Sequence, residues 1–72
     1  MKLIKNTATN CAELYKLLGQ GNRVEYKNFF PNPSIDKLSL LFNPAGDSVV
    51  LYTRDGSDHT VYIKDIKNVM QE

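Results

Sequence analysis

The hydrophobic pattern changes period along the chain, and the clearest signal lies near its carboxy end. Residues 48–65, SVVLYTRDGSDHTVYIKD, carry Val49, Leu51, Val61 and Ile63 at odd positions, with Val50, Tyr52 and Tyr62 at even ones. Two strand-forming runs on either side of Arg54-Asp55-Gly56 predict a β-hairpin. A type I turn followed by a glycine bulge sets Thr53 opposite Ser57 and pairs odd residues with odd, which gathers Val49, Leu51, Val61 and Ile63 on one side. A two-residue turn at Asp55 and Gly56 mixes the apolar sets and loses burial, since a one-residue slip exchanges the two faces. The bulged register is therefore expected, and it leaves a second, partly apolar face to explain.

Upstream, Lys2 to Lys5 reads as a short strand. Asn10 is a candidate helix N-cap with Glu13 three residues on, the spacing in which side chains satisfy free amides reciprocally; Thr9 competes for the cap. Cys11, Leu14, Tyr15 and Leu18 then share one face, with Leu17 beside them and Glu13, Lys16 and Gln20 opposite, which predicts an amphipathic helix of about three turns. Gly19 and Gly21 end it, because glycine reaches the left-handed conformation common at helix C-termini. In NRVEYKNFF, Val24 and Tyr26 alternate with Arg23, Glu25 and Lys27, the period-two pattern of a strand wet on one side. The PNP of 31–33 makes a loop, with Phe29 and Phe30 expected to anchor its entrance.

DKLSLLF, 36–42, alternates Leu38, Leu40 and Phe42 with Ser39 and Leu41 and reads as a further strand. NPAGD, 43–47, follows as a tight turn, with Pro44 suited to its first central position and Gly46 to a positive φ. The final DIKNVMQE places Ile66, Val69 and Met70 at helical spacing after a possible Asp65 cap, so it is a short helix or a frayed tail. The fold class expected for residues 1–72, taken as a single domain, is α+β: one amphipathic helix on a four- to five-stranded antiparallel sheet. Leu14, Leu18, Val24, Tyr26, Leu38, Leu40, Phe42, Val49, Leu51, Val61 and Ile63 are its expected core. The alternative is a small SH3-like β-barrel with a short helix, since a barrel removes exposed sheet edges.

Composition narrows the function. The chain has 72 residues, so folding hides only about 60% of the surface the unfolded chain exposes. Its apolar fraction is 42% and its charged fraction 24%, which argues against disorder. Nine Lys and Arg against eight Asp and Glu give a net charge of +1, without the overall basic character of many nucleic-acid binders. Cys11, the only cysteine, makes no internal disulfide, and MKLIKNTATN contains no signal-peptide core, so a reducing cytoplasm is expected. No stretch is long and apolar enough to span a membrane.

No residues suggest catalysis, a cofactor or a metal strongly. Cys11 near a helix N-terminus fits a reactive thiol, but a small buried thiol at an inward position explains it better. His59 beside Asp58 and near Asp55 lacks a ligand set of recognisable spacing, and a hairpin tip explains Asp, Gly and Ser without a metal. Gly19-Gln20-Gly21 lacks the lysine and following Ser or Thr of a phosphate loop and ends a helix where an anion site begins one. What remains is the second sheet face: Leu41, Val50, Tyr52, Thr60 and Tyr62, bordered by Ser39, Arg54 and Lys64. Strand preference alone can account for it. Read functionally, tyrosine and arginine favour a contact surface. The chain is accordingly expected to be a small non-enzymatic regulatory or inhibitory module that binds a protein partner, or a second copy of itself, through Leu41, Val50, Tyr52, Arg54, Tyr62 and Lys64, of a kind found in bacteria or phage. The alternative is a nucleic-acid module that stacks bases on Tyr52 and Tyr62 while Arg54 and Lys64 contact phosphate.

Overall fold

The structure is a computed structural model that describes residues 2–27 and 32–72. The anchoring expected of Phe29 and Phe30 lies outside the described residues. The elements are β1 (Lys2–Lys5), α1 (Cys11–Leu18), β2 (Arg23–Glu25), β3 (Ser34–Ile35), α2 (Lys37–Phe42), β4 (Ser48–Tyr52), β5 (Asp58–Tyr62) and β6 (Asn68–Gln71), with a 3-10 turn at Ile63–Asp65. They form an α+β architecture with one antiparallel sheet of six strands in the order β1-β6-β2-β3-β4-β5. The sheet is open, with β1 and β5 as its edges, so the barrel alternative does not hold.

α1 begins as a shared cap. The Asn10 side chain accepts from the Glu13 amide at 2.9 Å, while the Glu13 carboxylate accepts from the Thr9 amide and hydroxyl at 2.8 and 2.7 Å. The carboxylate thus reaches one residue further back than a reciprocal box on Asn10 requires, and the Thr9 bonds hold its pKa below the ordinary value. The amides of Cys11 and Ala12 donate to the carbonyls of Gly46 and Pro44, both at 2.9 Å, so the distant NPAG turn satisfies the helix start. Cys11, Leu14 and Leu18 are buried beneath α1, and Gly19 ends it at φ 62. The turn itself closes from the Gly46 amide to the Asn43 carbonyl at 3.0 Å, with Pro44 at its first central position. Gly46 does not take the positive φ expected of it; a Cβ there would lie 2.5 Å from the side-chain nitrogen of exposed Asn43, which would have to move aside, and 3.2 Å from the Asn43 carbonyl oxygen.

The hairpin adopts the bulged register. Val49 faces Val61 and Tyr52 faces Asp58, the Thr53 amide donates to the Ser57 carbonyl at 2.9 Å, and Gly56 takes φ 91 at the bulge. Val49, Leu51, Val61 and Ile63 are all buried, on the side covered by α1.

The sheet has six strands and not four or five, and it carries two helices and not one. β3 is a strand of only two residues, too short to show a period, and two further elements differ from the expectation. DKLSLLF is not a strand: Asp36 caps a helix, accepting from the Leu38 amide at 2.9 Å and from the Ser39 hydroxyl at 3.2 Å. No β-branched residue occurs in KLSLLF, and leucine favours helix, so the capped helix wins over the accidental alternation. Leu38 and Phe42 consequently leave the expected core, and only Leu40 is buried. The carboxy-terminal segment is neither helix nor tail. It forms β6, paired with β1 on one side and β2 on the other, and buries Val69 in the core. Asp65 caps no helix and lies within the 3-10 turn. The core also takes in Ala8, Cys11, Ile35 and Ile66. Among the described residues, no helix is long and apolar enough to cross a membrane.

Candidate binding surfaces

The outer face of the sheet is set by the register. Alternation along each strand puts Val49, Leu51 and Val61 inward, so Ser48, Val50, Tyr52, Asp58, Thr60 and Tyr62 face outward on the hairpin. Tyr52 and Tyr62 are 39% and 55% exposed. They do not adjoin: Tyr62 lies opposite Ser48, four residues before Tyr52, so roughly 13 Å of strand separates them. The Val50–Thr60 pair lies between, with Val50 half-buried and Thr60 exposed. Leu41 and Ser39 are not on this face, because both belong to α2.

The expected site therefore divides into three. At one end of the outer face, Tyr52 and Arg54 join Arg23, Asn32, Ser34 and Thr53 around a cleft of about 500 Å³. The register aligns Arg23, Ser34 and Tyr52 across three neighbouring strands. The Arg23 guanidinium donates to the Asn32 carbonyl at 2.7 Å. At the tip beyond the cleft, the Asp55 carboxylate accepts from the Thr53 hydroxyl and from the Ser57 amide, and these bonds lower its pKa to about 2. At the other end, Tyr62 and Lys64 border a second cleft, of about 460 Å³, with Ala8, Thr9 and Asp47, and the Lys64 ammonium stands 5.4 Å from the centre of the Tyr62 ring. Leu41 forms part of the third surface.

That third surface is on α2. Leu38, Leu41 and Phe42 are 66%, 56% and 89% exposed, and their i, i+3, i+4 spacing makes them one stripe. The charges beside it are occupied. Asp36 caps the helix, and the Lys37 ammonium donates to the Gly19 carbonyl at 2.7 Å while standing 5.6 Å from the centre of the Tyr15 ring. Reading 36–42 as a strand hid this stripe; Asp36 before a run free of β-branched residues was the signal for it.

Cys11 is buried at the start of α1, its thiol 3.5 Å from the Ser48 carbonyl. Burial, and secondarily the Asp47 carboxylate, push its pKa up, which disfavours the nucleophilic thiolate. His59 is half-buried on the inner side of β5, opposite Leu51 and turned from the Asp58 face. Among the described residues, no three His, Cys, Asp or Glu side chains gather as a metal-binding group. Comparison with known protein families, with characterised proteins and with solved structures finds no match.

Proposed function

We propose that the protein is a small regulatory or inhibitory binding module that lays α2 into an apolar groove of a partner protein. The observation that carries this reading is the uncovered stripe of Leu38, Leu41 and Phe42, with Phe42 at 89% exposure. Single exposed apolar residues are ordinary; three in one stripe, including a nearly bare phenylalanine, form a patch comparable to the largest on an ordinary monomer, and such patches are often functional. The spacing is that of helix-in-groove recognition, in which i, i+3 and i+4 side chains anchor the contact.

A groove on another protein suits this surface better than a second copy. The three side chains offer on the order of 400 Å², so a symmetric pair buries about 800 Å², short of the ~1,200 Å² at which stable interfaces begin. A concave partner wraps the ridge and covers its flanks as well. The tyrosines of the sheet supply a weaker argument, since they stand apart and each is bordered by polar groups.

The test is capture from lysate of the source organism by wild type, by Leu38→Ser with Phe42→Ser, and by Tyr52→Ala with Tyr62→Ala, each first confirmed as folded by circular dichroism. The α2 variant is expected to lose the captured protein and the tyrosine variant to keep it. Retention by the α2 variant overturns the proposal. So does a stable wild-type dimer that Phe42→Ser converts to monomer, which assigns the stripe to self-association.

A further inference from the structure

The cleft at the Tyr52 end of the outer face has a different chemistry from α2 and lies on the other side of the sheet from the core that α1 and Leu40 cover. Its described lining brings together two guanidinium groups, two hydroxyls, an amide and one aromatic ring, with no carboxylate. Tyr52 shares the cleft with both cations. Arg23 lies two strands away in the Arg23–Ser34–Tyr52 row, about 10 Å at ordinary strand spacing, and Arg54 follows Tyr52 by two residues along the chain, into the turn. Arg23 is held in place by its bond to the Asn32 carbonyl, which uses one of its five N–H donors. Two acids are near: Asp55 has its carboxylate tied to Thr53 and Ser57 within the turn, and Asp58 is exposed on the same face opposite Tyr52 on β5, outside the lining.

We infer that this cleft binds a short single-stranded segment of nucleic acid, with one base stacked on Tyr52 and the flanking phosphates on Arg23 and Arg54. Each part of the lining has a counterpart in such a ligand. An aromatic face accepts any base, guanidinium groups pair bidentately with phosphate oxygens, and the Ser34 hydroxyl suits sugar and base edges, while the Thr53 hydroxyl, whose proton goes to Asp55, can only accept. An acidic peptide matches the cations but leaves the ring without a stacking partner. The near-zero net charge of the whole chain means that binding depends on this local pair of cations, so affinity is modest and responds sharply to loss of either. The inference stands independently of the role assigned to α2.

The experiment is fluorescence anisotropy with labelled RNA and DNA oligonucleotides of about eight nucleotides, at about 50 and 200 mM salt. Tyr52→Leu and Arg54→Gln are at exposed positions and keep the fold. Each is expected to weaken binding about tenfold, and Arg54→Gln to flatten the log–log salt slope by about 0.7. Tyr62→Leu, Lys64→Gln and Phe42→Ser are expected to bind like wild type. Three results overturn the inference: no binding at the lower salt, equal weakening by the Tyr62 and Lys64 variants, or equal competition by a glutamate-rich peptide of the same charge. A stronger response to RNA than to DNA assigns the hydroxyl contacts to the 2′-OH.

Discussion

The Asn6 side-chain amide donates to the Ile63 carbonyl at 2.8 Å, a bond between residues 57 positions apart. The same nitrogen donates to the Ile66 carbonyl at 3.0 Å, and the Asn6 oxygen accepts from the Ala8 amide at 3.0 Å. One side chain therefore fastens the exit of β1 to the 3-10 turn that leads into β6. With the Asn6 amide also donating to the Lys67 carbonyl, it sets the position from which the last strand enters between β1 and β2.

Asn6→Ala is expected to cost about 1–3 kcal/mol, because it removes the donor from two carbonyls that the fold keeps partly buried. Urea unfolding monitored by circular dichroism measures this. A change below about 0.5 kcal/mol, the range of an ordinary surface substitution, contradicts the role given to Asn6.

The two faces of the hairpin are expected to respond very differently to a carboxylate. Leu51 has 0% exposure and adjacent Tyr52 has 39%. Leu51→Asp places an unpaired charge in the core of a domain whose whole stability is about 5–15 kcal/mol at most, and should unfold it. Tyr52→Asp should leave a cooperative thermal transition. Equal destabilisation by the two changes means that both faces are core.

α2 offers a matched pair two residues apart. Leu40→Ala is expected to cost about 2–5 kcal/mol and Phe42→Ala less than about 0.5 kcal/mol, since Leu40 is buried and Phe42 bare. Equal losses at the two positions in chemical denaturation would indicate a strand with Leu40 and Phe42 on one face, and would remove the stripe from which the proposed function is argued.

Asp55 should titrate well below other aspartates. Its pKa is lowered from the ordinary 3.8 to about 2, first by the Thr53 hydroxyl and then by the Ser57 amide. A lowered folded-state pKa stabilises the fold above the unfolded value, so this contribution is complete above about pH 4 and disappears as pH falls towards 2. Carboxyl-carbon NMR should show a midpoint near 2 for Asp55, moving up in Thr53→Val. A wild-type midpoint at the ordinary value rules out the turn geometry described.

Local chemistry made α1, the hairpin and its register legible in the sequence. Asn10 and Glu13 mark a helix start, and of the two turns that Asp55-Gly56 allows, only the bulged one keeps Leu51 with the buried set. The same rules misread 36–42, where Leu38, Leu40 and Phe42 alternate like a strand while Leu38, Leu41 and Phe42 recur like a helix. Seven residues are too few for periodicity to decide, and the Asp36 cap does. For the candidate site, residue types were informative and grouping was not. Tyr52 and Arg54 do share a cleft, but Arg23 joins them only because β2, β3 and β4 are neighbours, and Tyr62 stands apart because the register places it opposite Ser48.

What the sequence determined by itself was therefore whatever depends on near neighbours: caps, turn type, the inward set of the hairpin and the buried character of Cys11. Tertiary structure decided what depends on distant partners. Val69 is a core residue because β6 enters between β1 and β2, and Phe42 is exposed because the helix that carries it buries Leu40 instead. The physical reason is that a cap or a tight turn is satisfied within a few residues of chain. A four-residue strand gains its hydrogen bonds and its burial only when the rest of the sheet is already beside it.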